Sequence, residues 1–273
     1  MSSILCGDVF DVLATLADDS VDHIITDPPY NISSKAKQTM VGPNIVTAEF
    51  GDWDCEDKDS YDQMFQKLIT ELCRIAKPGA NALIWLDRAY AGVGWFHAEK
   101  CGWTPRNIIA AVKRNPTPRL RTKNLKSAWE ACLWLSKGVV KSLTWDKSQK
   151  HDQNVIFYNI GSEKVSDHPT EKYESMIEPL VEMYTNEGDL VLDPFGGSGT
   201  TAVVCKKKNR DFVISEKNPR WIDVAIRRID STAKPLAILN EKREKGKPSG
   251  KTKSSGKETR DKQHAEASNT TAT

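Results

Sequence analysis

The tetrapeptide Asp27-Pro28-Pro29-Tyr30 gathers a carboxylate, fixed backbone carbonyls and an aromatic ring within four residues. Consecutive prolines fix φ and remove two amide donors, leaving carbonyl oxygens without a strand partner. Such a turn is built to accept hydrogen bonds. An exocyclic amino group of adenine or cytosine has two N–H donors. The Asp27 carboxylate and the Pro28 carbonyl can take both, drawing the nitrogen lone pair out of conjugation, while Tyr30 stacks on the base. The bland alternative is a proline-terminated strand with a capping aspartate.

A second segment, Asp193-Pro194-Phe195-Gly196-Gly197-Ser198-Gly199-Thr200-Thr201, has the composition of a ligand-cradling turn. Gly196, Gly197 and Gly199 let the backbone pass sharply from strand to helix and approach a ligand closely. No Lys follows the last glycine where a nucleotide γ-phosphate would need one, so this is not a phosphate loop. Some twenty residues on, the apolar run Asp211-Phe212-Val213-Ile214-Ser215 ends at Glu216, where dinucleotide folds hold a ribose hydroxyl pair. A nucleoside cofactor without a pyrophosphate suits both features; a purely structural turn is the alternative.

Each segment follows an apolar run, 21–26 for the first and 189–192 for the second, that reads as a buried parallel strand. Both therefore lie at strand carboxyl ends, the edge of an open α/β sheet where ligands bind, and can meet in one crevice. Residues 61–76, with Met64, Leu68, Leu72 and Ile75 on one face, predict an amphipathic helix ended by Pro78-Gly79. A strand over 81–86, a helix over 90–100 and a strand over 108–112 follow.

Residues 31–60 form a long polar stretch holding Phe50-Gly51-Asp52-Trp53-Asp54, read as a mobile loop placed to fold over an extruded nucleotide. Trp53 would stack on a base or anchor the loop. In 113–124 five basic residues, Lys113, Arg114, Arg119, Arg121 and Lys123, occur without an acid and read as phosphate contacts or as a solvated basic loop.

With both segments in this order, the chain resembles the S-adenosylmethionine-dependent DNA amino-methyltransferases, and within them the permuted β class. The resemblance covers most of residues 4–230. Further matches are Gly7-Asp8, Lys77-Pro78-Gly79 before Ala82–Leu86, Trp129-Glu130 before Ala131–Leu135, and His168-Pro169-Thr170-Glu171-Lys172 before the cofactor strand. Where the family usually has Pro after that lysine, this chain has Tyr173, which predicts a displaced start for the following helix.

The resemblance implies a Rossmann-like, doubly wound, mostly parallel seven-stranded α/β sheet with helices on both faces. It implies direct in-line methyl transfer to the amino group of a flipped base in DNA, with Asp27, Pro28, Pro29 and Tyr30 as the catalytic turn. Asp8, His168, Thr170, Lys172, Asp193, Phe195, Gly196, Gly197, Gly199, Thr200 and Glu216 would surround S-adenosylmethionine. The aspartate form of the tetrapeptide is commoner among adenine N6 enzymes, so adenine is favoured over cytosine N4; RNA stays open as a substrate. Residues 137–167 lie where the family inserts its target-recognition region, here short, with Lys141, Lys147, Lys150 and His151 as DNA-contact candidates. A cognate restriction nuclease stays open as a partner, and dimers are common in the family, though no sequence feature demands a homodimer.

Cytosine C5 methylation is excluded on chemistry, because it needs a cysteine nucleophile, preceded in that family by proline, and none of the six cysteines follows a proline. The cysteines have no Cys-x-x-Cys spacing and the five histidines do not cluster, so no metal is expected. A non-catalytic nucleic-acid-binding module is the reading from another class; retention of both segments argues against it.

With 273 residues, 38% of them hydrophobic, the chain can bury one large core, so residues 1–232 are read as a single catalytic domain. No signal peptide or membrane span is evident, and scattered cysteines fit a reducing cytoplasm, in a prokaryotic or phage-encoded, nucleoid-associated enzyme. Residues 233–273 read as a disordered basic tail. Residues 241–273 carry nine Lys or Arg against five Asp or Glu, and the formal total of +2 leaves the rest of the chain slightly acidic. DNA affinity therefore rests on local basic stretches.

Overall fold

The computed structural model describes residues 2–30, 38–41, 44–47, 58–116, 125–140, 153–161 and 164–232. The chain divides into a unit of residues 1–236 and a remainder, 237–273, which lies outside the described residues.

Chain order is β1 (Ser3–Cys6), α1 (Val9–Thr15), β2 (Val21–Thr26), β3 (Gln38–Val41), β4 (Asn44–Thr47), α2 (Lys58–Ile75), β5 (Ala76–Leu86), α3 (Ala91–Lys100), β6 (Thr104–Lys113), β7 (Trp129–Ser136), β8 (Val155–Tyr158), α4 (Glu174–Tyr184), β9 (Leu190–Asp193), α5 (Thr200–Lys207), β10 (Asp211–Glu216) and α6 (Pro219–Ser231). One sheet runs β1-β10-β9-β2-β5-β7-β6-β8. The five strands from β1 to β5 are mutually parallel, β7 is antiparallel to β5 and β6, and β8 is parallel to β6.

Among the described residues the sheet has eight strands, where seven were expected. The eighth, β8, comes from the stretch read as a recognition insert. Its Val-Ile-Phe-Tyr sequence is β-branched and aromatic, and it buries Ile156 and Tyr158 while exposing Phe157, the alternation of a half-covered edge strand. Within 31–60, β3 and β4 pair as an antiparallel hairpin with Gln38 opposite Thr47, so that stretch is not loop throughout. Trp53 lies outside the described residues.

In α2 the spacing of Tyr61, Phe65, Leu68, Ile69, Leu72 and Ile75 makes an apolar stripe, and all six are buried against the sheet. β5 starts directly after α2 and runs through Lys77-Pro78-Gly79. Its pairing with β2 shifts between Val21 opposite Ala76 and His23 opposite Asn81, a bulge that absorbs Pro78 and Gly79, whose φ is +89°.

Two apolar layers flank the sheet, one with Leu13, Phe65, Leu72 and Ala98 from α1, α2 and α3, the other with Ile177, Val181, Val203 and Ile229 from α4, α5 and α6. Neighbouring residues of β2 face opposite layers, Ile24 the first and Ile25 the second, which is why it reads as an apolar run without alternation. From β2 the chain crosses through α2 to β5 on one side; from β9 it crosses through α5 to β10 on the other. The topological switch point thus falls between β2 and β9, which pair directly, Ile24 opposite Leu192. Among the described residues no helix is long and apolar enough to cross a membrane.

Candidate active site

A cleft of about 1100 Å³ opens at the carboxyl edge of the sheet over this switch point. Its volume exceeds the usual range for one small-molecule site, leaving room for two reactants. The Asp27–Tyr30 turn ends β2, the Asp193–Gly199 turn ends β9, and both line the cleft with His168–Tyr173, Glu216 and Trp221.

The Asp27 carboxylate is engaged on both oxygens. Tyr30 donates its hydroxyl to Oδ1 at 2.5 Å, and the Lys172 ammonium is 3.0 Å from Oδ2. Lys172 also donates to the Tyr30 hydroxyl at 3.0 Å and to Glu130 Oε2 at 2.9 Å. Glu130 Oε1 in turn meets Lys113 Nζ at 3.1 Å and accepts the Tyr158 hydroxyl at 2.8 Å. Among the described residues nothing donates to the Pro28 carbonyl, whereas the Pro29 carbonyl accepts the Tyr61 hydroxyl at 2.8 Å.

Burial pushes the Asp27 carboxyl up, opposed by Lys172 and the Tyr30 hydrogen bond. Burial and the neighbouring Asp27 charge raise Tyr30 well above an ordinary phenol. For Glu130 burial acts upward too, but Lys172 and Lys113 outweigh it and hold the carboxyl below its usual range. Burial alone would lower Lys172; Asp27 and Glu130 reverse that and hold its ammonium charged.

On the other side of the cleft Asp193 is a structural acid. It is buried and accepts the Thr26 hydroxyl at 2.8 Å, the Thr201 hydroxyl at 2.7 Å and the Phe195 amide at 3.1 Å. Burial raises its carboxyl to about 6, against those hydrogen bonds. The glycines answer partly to protein neighbours. A Cβ at Gly196 would lie 2.9 Å from Ile214 Cβ, and one at Gly199, where φ is +84°, would lie 2.8 Å from Ala225 Cβ. Gly197, at φ +49°, faces the His168 ring, and its amide donates to Glu216 Oε2 at 3.1 Å. Glu216 Oε1 accepts the Asn218 amide at 2.8 Å.

Asp8 caps α1 by accepting the Phe10 amide at 3.1 Å while lining the cleft. Thr170 and Phe195 line it too, and the Thr200 hydroxyl donates to the Lys172 carbonyl at 3.0 Å. The segment before α4 is tied down by buried Glu171, which accepts from the Val165 amide, from the Ser166 hydroxyl and from the Ser198 hydroxyl, and lies 3.4 Å from Arg228. α4 starts at Glu174 with Tyr173 extended at its N-cap. The Tyr173 hydroxyl accepts the Gly161 amide at 3.0 Å, and its ring packs on Tyr158 at 5.6 Å.

Two expected assignments shift. Lys172, expected beside the cofactor, turns its ammonium to the Asp27–Tyr30 turn. Lys113, expected on DNA phosphate, is mostly buried with 17% of its side chain exposed, and it spends its charge on Glu130. The cause is the β6–β7 pairing, which brings the end of β6 beside the start of β7. Arg114 stays partly open, its guanidinium 4.7 Å over the Phe157 ring. Arg119, Arg121, Lys123, Lys141, Lys147, Lys150 and His151 lie outside the described residues. Sequence reasoning gave no role to Glu130, Tyr158, Tyr61 or Arg228. A lone acid opening the apolar run 131–135 was the available signal for Glu130. Among the described residues no group of three or more His, Cys, Asp or Glu could hold a metal ion.

The Asp27–Tyr30 turn and the glycine turn thus share one cleft at the switch point of a doubly wound sheet, the place where such sheets bind ligands. The DNA methylase family model, of the N6/N4 type, matches residues 21–227, a span that includes both turns, and the chain belongs to this family. It is 30% identical over 241 residues to the Type II methyltransferase M2.LlaDCHI of Lactococcus lactis subsp. cremoris, covering 83% of this chain and 88% of that protein. It is 28% identical over 242 residues to the Type II methyltransferase M2.DpnII of Streptococcus pneumoniae, covering 82% and 88%. Among solved structures, the M1.HpyAVI–SAM complex superposes with a TM-score of 0.67 at 25% identity, covering 84% of this chain and all of that one (100%). The cytosine-N4-specific PvuII DNA methyltransferase gives 0.64 at 17% identity over 83% and 86% of the two chains, a likeness of fold.

Proposed function

We propose that this DNA methylase moves the methyl group of S-adenosylmethionine to N6 of an adenine extruded from DNA. The carrying observation is that Asp27 at the end of β2 opens into the same cleft as the glycine turn at the end of β9. The aspartate form of the tetrapeptide supports adenine. When bound, S-adenosylmethionine supplies a sulfonium methyl group as electrophile.

The cofactor side has features that fit such a group. Among the described residues His168 Nδ1 is buried without a partner in the cleft wall, and Glu216 ends β10 where ribose hydroxyls are commonly held. Phe195 and Trp221 offer aromatic surface.

On the base side, the amino group takes the place of the Tyr30 hydroxyl at Asp27 Oδ1 and donates its second hydrogen to the Pro28 carbonyl. Those two bonds turn the nitrogen lone pair toward the methyl group. Tyr30, released from Asp27, is free to stack on the base. As the methyl–sulfur bond breaks and the neutral thioether leaves, the methylated nitrogen would shed one proton to Asp27 Oδ1, which burial makes a better acceptor than an exposed carboxylate. A paired adenine has its amino edge covered by its partner, so extrusion or a single strand is required.

The test is incubation of the purified protein with unmethylated DNA and labelled S-adenosylmethionine, followed by nucleoside digestion and mass spectrometry, with Asp27→Ala run beside it. N6-methyladenine, lost in the variant while cofactor affinity stays within about threefold, is the expected result. N4-methylcytosine would replace the base, and methylation that survives in Asp27→Ala would sink the mechanism.

A further inference from the structure

Lys172 touches both halves of the cleft. Its carbonyl accepts from Thr200, the first residue of α5, while its side chain runs the other way to the base turn. Its three ammonium hydrogens meet three acceptors, Asp27 Oδ2, the Tyr30 oxygen and Glu130 Oε2, at 3.0, 3.0 and 2.9 Å. The side chain is only 13% exposed, so solvent screens these contacts little.

The two oxygens of Asp27 are therefore not equivalent. Oδ1 is held by Tyr30, from the same turn, whose ring can swing aside when a base arrives. Oδ2 is held by a lysine that is itself clamped by Glu130, which Lys113 and Tyr158 clamp in turn. Two carboxylates and two ammoniums make a neutral set. A carboxylate buried without its cation would tend to take up a proton and lose its value as an acceptor.

We propose that Lys172 is a positioning residue for methyl transfer: it fixes Asp27 Oδ2 and supplies its counter-charge, leaving Oδ1 as the oxygen that receives the base amino group, with Glu130 orienting Lys172. The inference rests on the reading of Asp27 given above. The charged and titratable groups facing this pair are Tyr30 from the turn, Glu130 and Cys132 from β7, Asp193 from β9, Tyr158 from β8 and, through Glu130, Lys113 from β6.

Lys172→Met, Lys172→Arg and Glu130→Gln are compared with the wild type for cofactor affinity and for kcat against pH on saturating DNA. Lys172→Met should lose on the order of 100-fold in kcat. The acid limb of its residual activity should move up by about one pH unit or more, because ionised Asp27 has lost its cation. Cofactor affinity should stay within about threefold of wild type, since the ammonium is held by Asp27, Tyr30 and Glu130. Lys172→Arg should keep the acid limb in place. Glu130→Gln should lower kcat without raising the acid limb, because a negative neighbour of Asp27 has been removed.

Wild-type kcat and limb in Lys172→Met would overturn the inference. So would lost cofactor binding with an unmoved limb, which would return the lysine to the cofactor. If Lys172→Met fails to fold, an unchanged kcat in Glu130→Gln overturns it alone. A wild type that methylates no DNA strikes the functional reading instead.

Discussion

The Thr26 hydroxyl donates to the Asp193 carboxylate across 2.8 Å, joining the last residue of β2 to the last residue of β9 inside the core. This bond ties the two turns together, because the first begins at the residue after Thr26 and the second at Asp193 itself. Thr26→Val keeps the shape and removes the donor, which should cost about 1–2 kcal/mol. Thermal denaturation should show a melting temperature lower by roughly 3–6 °C. An unchanged melting temperature would mean that the carboxylate finds another donor.

Gly199 and Gly188 share φ +84°, but only Gly199 has a close neighbour where a Cβ would go. Gly188→Ala should therefore cost about 1 kcal/mol, the backbone term alone. In Gly199→Ala the clash with Ala225 adds to it, for a total of roughly 3 kcal/mol. Equal losses in urea unfolding would show that α6 moves away freely.

Burial lowers His168 from 6.5 to about 4, so the folded protein resists protonating it while the unfolded chain does not. The stability this contributes is complete above pH 6.5 and lost as pH falls through 4, by at most roughly 3 kcal/mol. His168→Asn should flatten the fall measured by denaturant unfolding between pH 7 and 4. The same slope in both proteins would assign it to other groups.

Because Lys113 spends its charge on Glu130, Lys113→Ala should leave the salt dependence of DNA binding unchanged. Arg114→Ala, which removes an open cation, should reduce that slope by about one phosphate contact. Fluorescence anisotropy at several salt concentrations separates them, and a shallower slope for Lys113→Ala would restore it to the DNA-contact set.

The two turns were legible because their signals are local: apolar runs of strand length ended by Pro or Gly. Sheet pairing was not. Nothing near Lys113 announces Glu130, since the β6–β7 register brings them together. Lys172 is 42 residues from Glu130 and reaches it through tertiary packing. For the same reason the sequence does not show that a Cβ at Gly196 or Gly199 would meet Ile214 or Ala225. β8 escaped notice because four residues within a polar stretch carry too short a pattern to stand out.

β1 sits at the sheet edge with β10 as its neighbour, although more than two hundred residues separate them. During synthesis β1 must wait for β10 before it can join the sheet, whereas β2 and β5 can pair much sooner. The Asp27–Tyr30 turn thus emerges well before its opposing wall, which is completed only when residues 190–216 follow. A nascent chain halted before β9 holds only the Asp27 half of the cleft and lacks the glycine turn and Glu216 that complete it.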